Sequence, residues 1–279
     1  MSDTPNTPLT EARARKALGQ HFLFDPDILK RTALAAGPVE GRTVIEVGPG
    51  PGGLTRALLD NGAAKVITVE TDPRFAAPLR DWPEAAEGRL IVHEGDARRV
   101  NWAELLAEKS ADLPAMIVAN LPYNVGTILL INWLKSGPWR GEMALMFQKE
   151  VAERICAQPN TRHYGRLAVL THALTKPHIA FTLPPGAFQP PPQVDSAVAV
   201  LAPLPEADIF PHIAELELVA GAAFGQRRKM LRAALKPFAK KRGLKAVAWL
   251  ESCEIDPTVR AETLDQAAFR RLAASLVKS

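Results

Sequence analysis

The stretch Thr43-Val44-Ile45-Glu46-Val47-Gly48-Pro49-Gly50-Pro51-Gly52-Gly53 decides the fold of this chain. A short apolar run leads into the spacing G-x-G-x-x-G at Gly48, Gly50 and Gly53, and a helical pattern follows from about Leu54 to Asn61. A strand that turns through glycines into a helix lets backbone approach a ligand closely. By itself the signal fits NAD, FAD or S-adenosylmethionine, and glycines that merely form a loop are the plain alternative.

Outward from this turn the alternation repeats. Apolar strands are expected at Thr43–Val47, Lys65–Glu70, Arg89–His93, Ala115–Ala119 and Met143–Gln148, with helices at about Pro73–Asp81, Trp102–Glu108, Val125–Ser136 and Lys149–Cys156. Asp25-Pro26 opens an earlier helix to about Ala36, and another runs to about Leu174. Such a pattern implies an α/β fold whose mostly parallel sheet binds ligands beyond the carboxyl ends of its strands. Two further strands, Pro177–Leu183 and Val194–Leu201, flank a proline-rich connection and suggest a hairpin-like antiparallel pair.

Each strand end offers a candidate. Glu70 closes the second strand twenty-two residues after Gly48, where a carboxylate accepts from both hydroxyls of an adenosine ribose. Gly95-Asp96-Ala97 follows the third, where Asp96 could accept from an adenine amine or simply cap a helix. The glycine loop lacks the G-K-[ST] ending of a phosphate loop, and no basic cluster follows Glu70 to favour a 2′-phosphate. Glu46 at the first turn suits a cation better than a pyrophosphate, and the sulfonium of S-adenosylmethionine is one.

The fourth strand ends in Asn120-Leu121-Pro122-Tyr123. The Asn120 amide oxygen and the Leu121 carbonyl can each accept a hydrogen from an exocyclic amine while Tyr123 stacks on the ring. An adenine amine is a poor nucleophile because its lone pair is delocalised, and two such acceptors restore it. The bland reading is a turn with Asn120 as helix cap and Tyr123 as packing.

The 279 residues are 47% hydrophobic and carry a net charge of +4, enough for a sizeable core and permissive of a nucleic-acid partner. There is no apolar run of spanning length and no signal-peptide core at the start, which points to a cytoplasmic protein with no membrane association. Cys156 and Cys253 lack paired spacing, so neither a disulfide framework nor a metal site is indicated. Residues 1 to about 10 read as disordered.

Taken together, several motifs resemble those of the ribosomal RNA adenine dimethyltransferases. They are Lys16-x-x-Gly19-Gln20-x-Phe22-Leu23, Glu46-Val47-Gly48-Pro49-Gly50, Gly95-Asp96-Ala97, Asn120-Leu121-Pro122-Tyr123-Asn124, Gln148-Lys149-Glu150-Val151, Tyr164-Gly165-Arg166-Leu167, Phe188-x-Pro190-x-Pro192-x-Val194-x-Ser196 and Phe224-x-x-Arg227-Arg228-Lys229-x-Leu231. The likeness spans roughly residues 13 to 235 and is greatest to the branch that modifies two adjacent adenines near the 3′ end of small-subunit ribosomal RNA. It implies a class I S-adenosylmethionine-dependent methyltransferase with a Rossmann-like seven-stranded sheet and a small C-terminal helical domain. It also implies S-adenosylhomocysteine as product, no metal, a pre-30S particle as partner and a monomeric enzyme.

Carried over by position, the resemblance puts His21 and the backbone at Leu23 on the cofactor, although Asn is common at the former, so His21 is a departure. It puts Gly48 against the methionine part, Glu70 on the ribose, Asp96 on the cofactor adenine and Asn120 beside the sulfonium and target amine, with Glu46, Gly50 and Ala97 as further cofactor-binding positions. Phe188 then looks like a second aromatic face opposite Tyr123, with loop packing as its alternative.

Beyond a linker at Pro203–Pro211, helices are expected at about His212–Phe224, Arg227–Ala239, Leu244–Glu251 and Leu264–Val277. Arg227, Arg228, Lys229, Arg232 and Lys236 begin a one-signed run that reads as a phosphate footprint, though charge runs are usually solvated faces. The expected domains are 1–203 for cofactor binding and 204–279 for RNA. Two rivals are an enzyme acting on large-subunit RNA and an assembly factor that binds RNA without catalysis.

Overall fold

The structure is a computed structural model and describes residues 21–277. The disordered tail expected at 1–10 and the Lys16, Gly19 and Gln20 positions lie outside the described residues. In chain order the elements are β1 (Phe22–Leu23), α1 (Pro26–Ala33), β2 (Thr43–Val47), α2 (Gly53–Asp60), β3 (Lys65–Glu70), α3 (Pro73–Arg80), α4 (Pro83–Ala86), β4 (Leu90–Glu94), α5 (Trp102–Glu108), β5 (Ala115–Asn120), α6 (Gly126–Leu134), β6 (Arg140–Gln148), α7 (Lys149–Cys156), α8 (Arg166–Leu174), β7 (Thr175–Leu183), β8 (Phe188–Gln189), β9 (Ser196–Pro203), α9 (Ile213–Phe224), α10 (Leu231–Ala234), α11 (Lys236–Lys240), α12 (Ala246–Ser252) and α13 (Gln266–Val277).

The Cα trace groups into two compact units. One runs to Ala152 and resumes over Ile179–Ala202; the other takes Glu153–His178 and everything from Pro203 on.

In the first unit the strands lie in the order β4-β3-β2-β5-β6-β9-β7. Pairing is parallel from β4 through β6, and β9 runs antiparallel to β6 with Gln148 opposite Ser196. β2 is buried along its whole length and β5 along all but its last residue, as parallel strands covered on both faces by helices must be. Helix starts follow local chemistry: Asp25 accepts from Asp27 N and Ile28 N with Pro26 at the first turn of α1, and Asp72 and Asn101 cap α3 and α5. The core joins Val44, Val66, Met116, Val118 and Met146 of the sheet to Leu29, Leu54 and Leu58 of α1 and α2. The two-residue strands β1 and β8 form a separate antiparallel pair, Phe22 opposite Gln189 and Leu23 opposite Phe188.

The second unit is built on α9 and α13. Phe224 stacks on Phe269 at 5.7 Å between centroids and meets the edge of Tyr164 at 5.8 Å. The helix expected over Arg227–Ala239 is not continuous: turns follow Gly225, and α10 and α11 are separate short helices. Pro237 explains the break, because a proline cannot donate to the preceding turn and is tolerated only in the first turn of a helix, where it sits in α11.

Candidate active site

The chain order changes direction between β2 and β5, and the cleft opens where those strands and their neighbours β3 and β4 end. Its walls are His21 and Phe22, Val47, Gly48 and Gly50, Glu70 and Thr71, Gly95 to Arg98, and Asn120 to Val125. Every strand-end candidate read from the sequence except Glu46 thus converges here.

The glycine loop is tight for steric reasons. Gly50 has φ +52°, and a Cβ there would stand 2.5 Å from Cε1 of Phe22. The aromatic ring of β1 therefore lies directly over the loop, and only glycine allows that approach. Phe22 in turn meets Phe75 edge-on at 5.3 Å.

Glu70 is 4% exposed and braced from within the protein. The Gly50 amide donates to one of its oxygens at 3.2 Å and the Asp72 amide to the other at 2.9 Å. Burial raises its pKa, opposed by these backbone bonds. A carboxylate has about four acceptor positions, so this one keeps capacity for a pair of vicinal hydroxyls. That capacity, beside a loop shaped for close backbone approach, fits an adenosine ribose.

Asp96 is already engaged. Arg98 grips it with Nε at 3.0 Å from each oxygen and Nη2 at 2.6 Å, and the Arg98 amide donates to it at 3.0 Å. The Arg98 bond is the main reason the Asp96 pKa is lowered. Sequence reasoning missed Arg98, although an arginine two residues after a turn aspartate is the signal that would have found it. Ala97, next to it, lines the cleft with little exposure.

At the end of β5, Asn120 Nδ2 donates to the His21 carbonyl at 2.8 Å. Tyr123 presents its ring to the cleft while its hydroxyl lies 2.6 Å from Ser196 Oγ, and burial raises its pKa against that bond. The His21 ring sits 5.3 Å from the Tyr123 ring at 31°, with Nδ1 2.7 Å from the Pro190 carbonyl. His21 therefore flanks the Tyr123 ring on one side of the cleft.

Two expected site residues stand elsewhere. Phe188 is 2% exposed, packed in the core opposite Leu23, and does not face Tyr123 across the cleft. Its apolar ring gains more from core burial than from a solvent-facing position. Glu46 lies under the glycine loop, 1% exposed, bonded by the Thr55 hydroxyl at 2.6 Å. Burial pushes its pKa up to about 8, the Thr55 bond opposing and Glu70 adding to the rise. A carboxyl held neutral in this way is a poor counter-ion for a cation. The Leu23 carbonyl, the backbone group that the resemblance assigns to the cofactor, lies against the glycine loop, 3.3 Å from where a Gly53 Cβ would stand.

In the second unit Arg228, Lys229, Arg232 and Lys236 are exposed, while Arg227 is half-buried and donates to Glu262 at 2.9 Å and to the Thr161 carbonyl at 3.3 Å. The run thus contains Arg227, half-buried on Glu262, Arg232, which is exposed but reaches the Met230 sulfur at 3.5 Å, and other residues that face water.

Comparison with known proteins gives a consistent picture. A family model described as "Ribosomal RNA adenine dimethylase" matches residues 11–278. Proteins named "Ribosomal RNA small subunit methyltransferase A" from Allorhizobium ampelinum and Caulobacter vibrioides are 52% and 51% identical, over 93% of this chain and 92% and 96% of theirs. The crystal structure of a dimethyladenosine transferase from Plasmodium falciparum is 27% identical and superposes with a TM-score of 0.76, covering 92% of this chain and 98% of that one. The 23S rRNA methyltransferase ErmE shares the fold, with a TM-score of 0.65 at 24% identity over 92% of this chain and 99% of that one.

Proposed function

The chain belongs to the ribosomal RNA adenine dimethylase family, and from that premise we propose that it methylates the N6 amines of two adjacent adenines near the 3′ end of small-subunit ribosomal RNA. S-adenosylmethionine is the methyl donor, S-adenosylhomocysteine the product, and the pre-30S particle the substrate. The enzyme acts as a cytoplasmic monomer, and the reaction requires no metal. Among the described residues no helix is long and apolar enough to cross a membrane. The observation that carries the reading is the convergence of Glu70, Asp96, Asn120 and Tyr123 on one cleft at the switch point of the sheet.

Glu70 would hold the ribose, Asp96 and Ala97 the adenine, and the Gly48–Gly50 backbone the methionine part. When bound, S-adenosylmethionine supplies a methyl group on a sulfonium whose departure as a neutral thioether asks no acid of the protein. Asn120 Oδ1 and the Leu121 carbonyl accept from the target amine and turn its lone pair out of conjugation. Tyr123 stacks on the flipped base, and stacking worth about 1–3 kcal/mol offsets an unstacking cost of a few kcal/mol. Positioning of this kind can supply roughly 7–11 kcal/mol of barrier lowering. The transfer leaves a cationic N6 that gives up one proton to water; the amine then keeps one hydrogen, so one acceptor still orients it for the second.

Incubation with labelled S-adenosylmethionine and immature small subunits, followed by digestion to nucleosides, tests the reading. Label in N6,N6-dimethyladenosine from the small subunit is expected. Label confined to large-subunit RNA, or none, would overturn it.

A further inference from the structure

Ser196 closes the proline-rich Phe188–Ser196 stretch, yet no task in the reaction falls to it. It is 0% exposed and is the first residue of β9. Because β9 runs antiparallel to β6, its first residue lies beside Gln148, at the sheet edge where β5 and β6 deliver their last residues. A parallel strand in that place would present its far end instead. The reversal of β9 thus brings a buried hydroxyl to the ligand edge of the sheet.

That hydroxyl meets the Tyr123 phenol at 2.6 Å, across 73 positions of sequence. The ring is held at its tip by Ser196 and flanked by the tilted His21 ring 5.3 Å away. A ring fixed only at Cα can swing about its side-chain torsions, and a tether at the distal oxygen removes that freedom before a base arrives. We propose that Ser196 is a positioning residue for methyl transfer: through Tyr123 it fixes the plane on which the target adenine stacks. This rests on the reading of the cleft as an adenine N6 methyltransferase site and adds a residue to it.

The test compares Ser196→Ala, Ser196→Thr, Tyr123→Phe and the double variant Ser196→Ala/Tyr123→Phe, each with a thermal midpoint and a calorimetric S-adenosylmethionine titration. Loss of one buried hydrogen bond that orders a reacting base predicts a fall in kcat/KM for RNA of about tenfold in Ser196→Ala. Cofactor affinity should stay within about twofold and the thermal midpoint should not account for the loss. Ser196→Thr, which keeps the hydroxyl, should recover most of the activity. The double variant should be no worse than Tyr123→Phe alone, because both substitutions remove the same bond.

Full activity in Ser196→Ala, an equal loss of cofactor affinity, or additive losses in the double variant would each overturn the inference. RNA carrying 2-aminopurine at a target position reads base unstacking without methyl transfer, and Ser196→Ala should weaken that fluorescence change. A wild-type protein that unstacks this base yet methylates no adenine would refute the proposed function. A Ser196→Ala protein that unstacks it like wild type would refute only the role of Ser196.

Discussion

The side-chain amide of Asn120 donates to the backbone carbonyl of His21 at 2.8 Å, and this bond settles which way the amide faces. With its nitrogen turned to the His21 carbonyl, the amide oxygen points the other way, the orientation that the proposed grip on a substrate amine needs. On the proposed role, Asn120→Ala removes an acceptor used at the moment of transfer and should lower kcat by about 10²–10³-fold. Cofactor affinity should change far less. Single-turnover rates set beside equilibrium cofactor titrations check this, and parallel losses in both would remove Asn120 from the chemistry.

Gly50 and Phe22 make a second coupled pair. A methyl at position 50 would stand 2.5 Å from the Phe22 ring, on a backbone with φ +52° that disfavours side chains. Gly50→Ala should therefore push the ring off the loop and weaken S-adenosylmethionine binding by roughly tenfold or more, on the scale of about 1–3 kcal/mol for such strain. Adding Phe22→Ala removes the clash but not the backbone strain, so it should recover part of the affinity. Calorimetry on both variants decides the point; a double variant no better than Gly50→Ala would show that the ring is not the obstacle.

The elements most legible in the sequence are those whose burial is set locally. β2 and β3 match their expected limits because a strand covered on both faces is an unbroken apolar run, and α1, α3 and α5 announce themselves through Asp25, Asp72 and Asn101. Glu70 and Asn120 were legible for the same reason: they are the polar residues that end such runs. Glu46 and Phe188 were harder, because type and spacing do not say which face of an element a side chain joins. Glu46 sits inside a fully buried strand, and Phe188 belongs to a two-residue strand too short for any period to show. The β1 and β8 pairing, and the bond from Tyr123 to Ser196, depend on distant segments meeting, which no local pattern encodes.

The raised pKa of buried Glu46 should make the stability of the protein depend on pH. Burial is the chief reason its pKa rises from 4.5 to about 8. Between these values the unfolded chain has released the proton and the native chain still holds it, so stability falls as pH rises through this window and levels off above the folded value. The loss reaches a few kcal/mol at the upper end, on the order of 1.4 kcal/mol for each step of one pH unit. Glu46→Gln keeps the shape and a donor or acceptor for Thr55 but does not titrate. Urea unfolding at about pH 5, 7 and 9 should show wild type losing stability relative to Glu46→Gln as pH increases. Equal slopes would mean that the carboxyl ionises normally.

The basic run of the second unit should divide by partner. Arg227 donates to Glu262 at 2.9 Å, so part of its charge is answered within the protein. Arg228, Lys229, Arg232 and Lys236 are exposed and available to phosphates. Each phosphate contact contributes about 0.7–0.9 to the slope of log affinity against log salt, so replacing these residues together with alanine should flatten that slope by roughly 3. Arg227→Ala should change it by less than one and show instead a small loss of stability, about 0–1 kcal/mol for an ion pair with this exposure. Filter binding of small-subunit RNA across a salt series measures both. A fourfold variant that keeps the wild-type slope would leave this stretch as an ordinary solvated face, and the phosphate contacts would have to come from elsewhere on the protein.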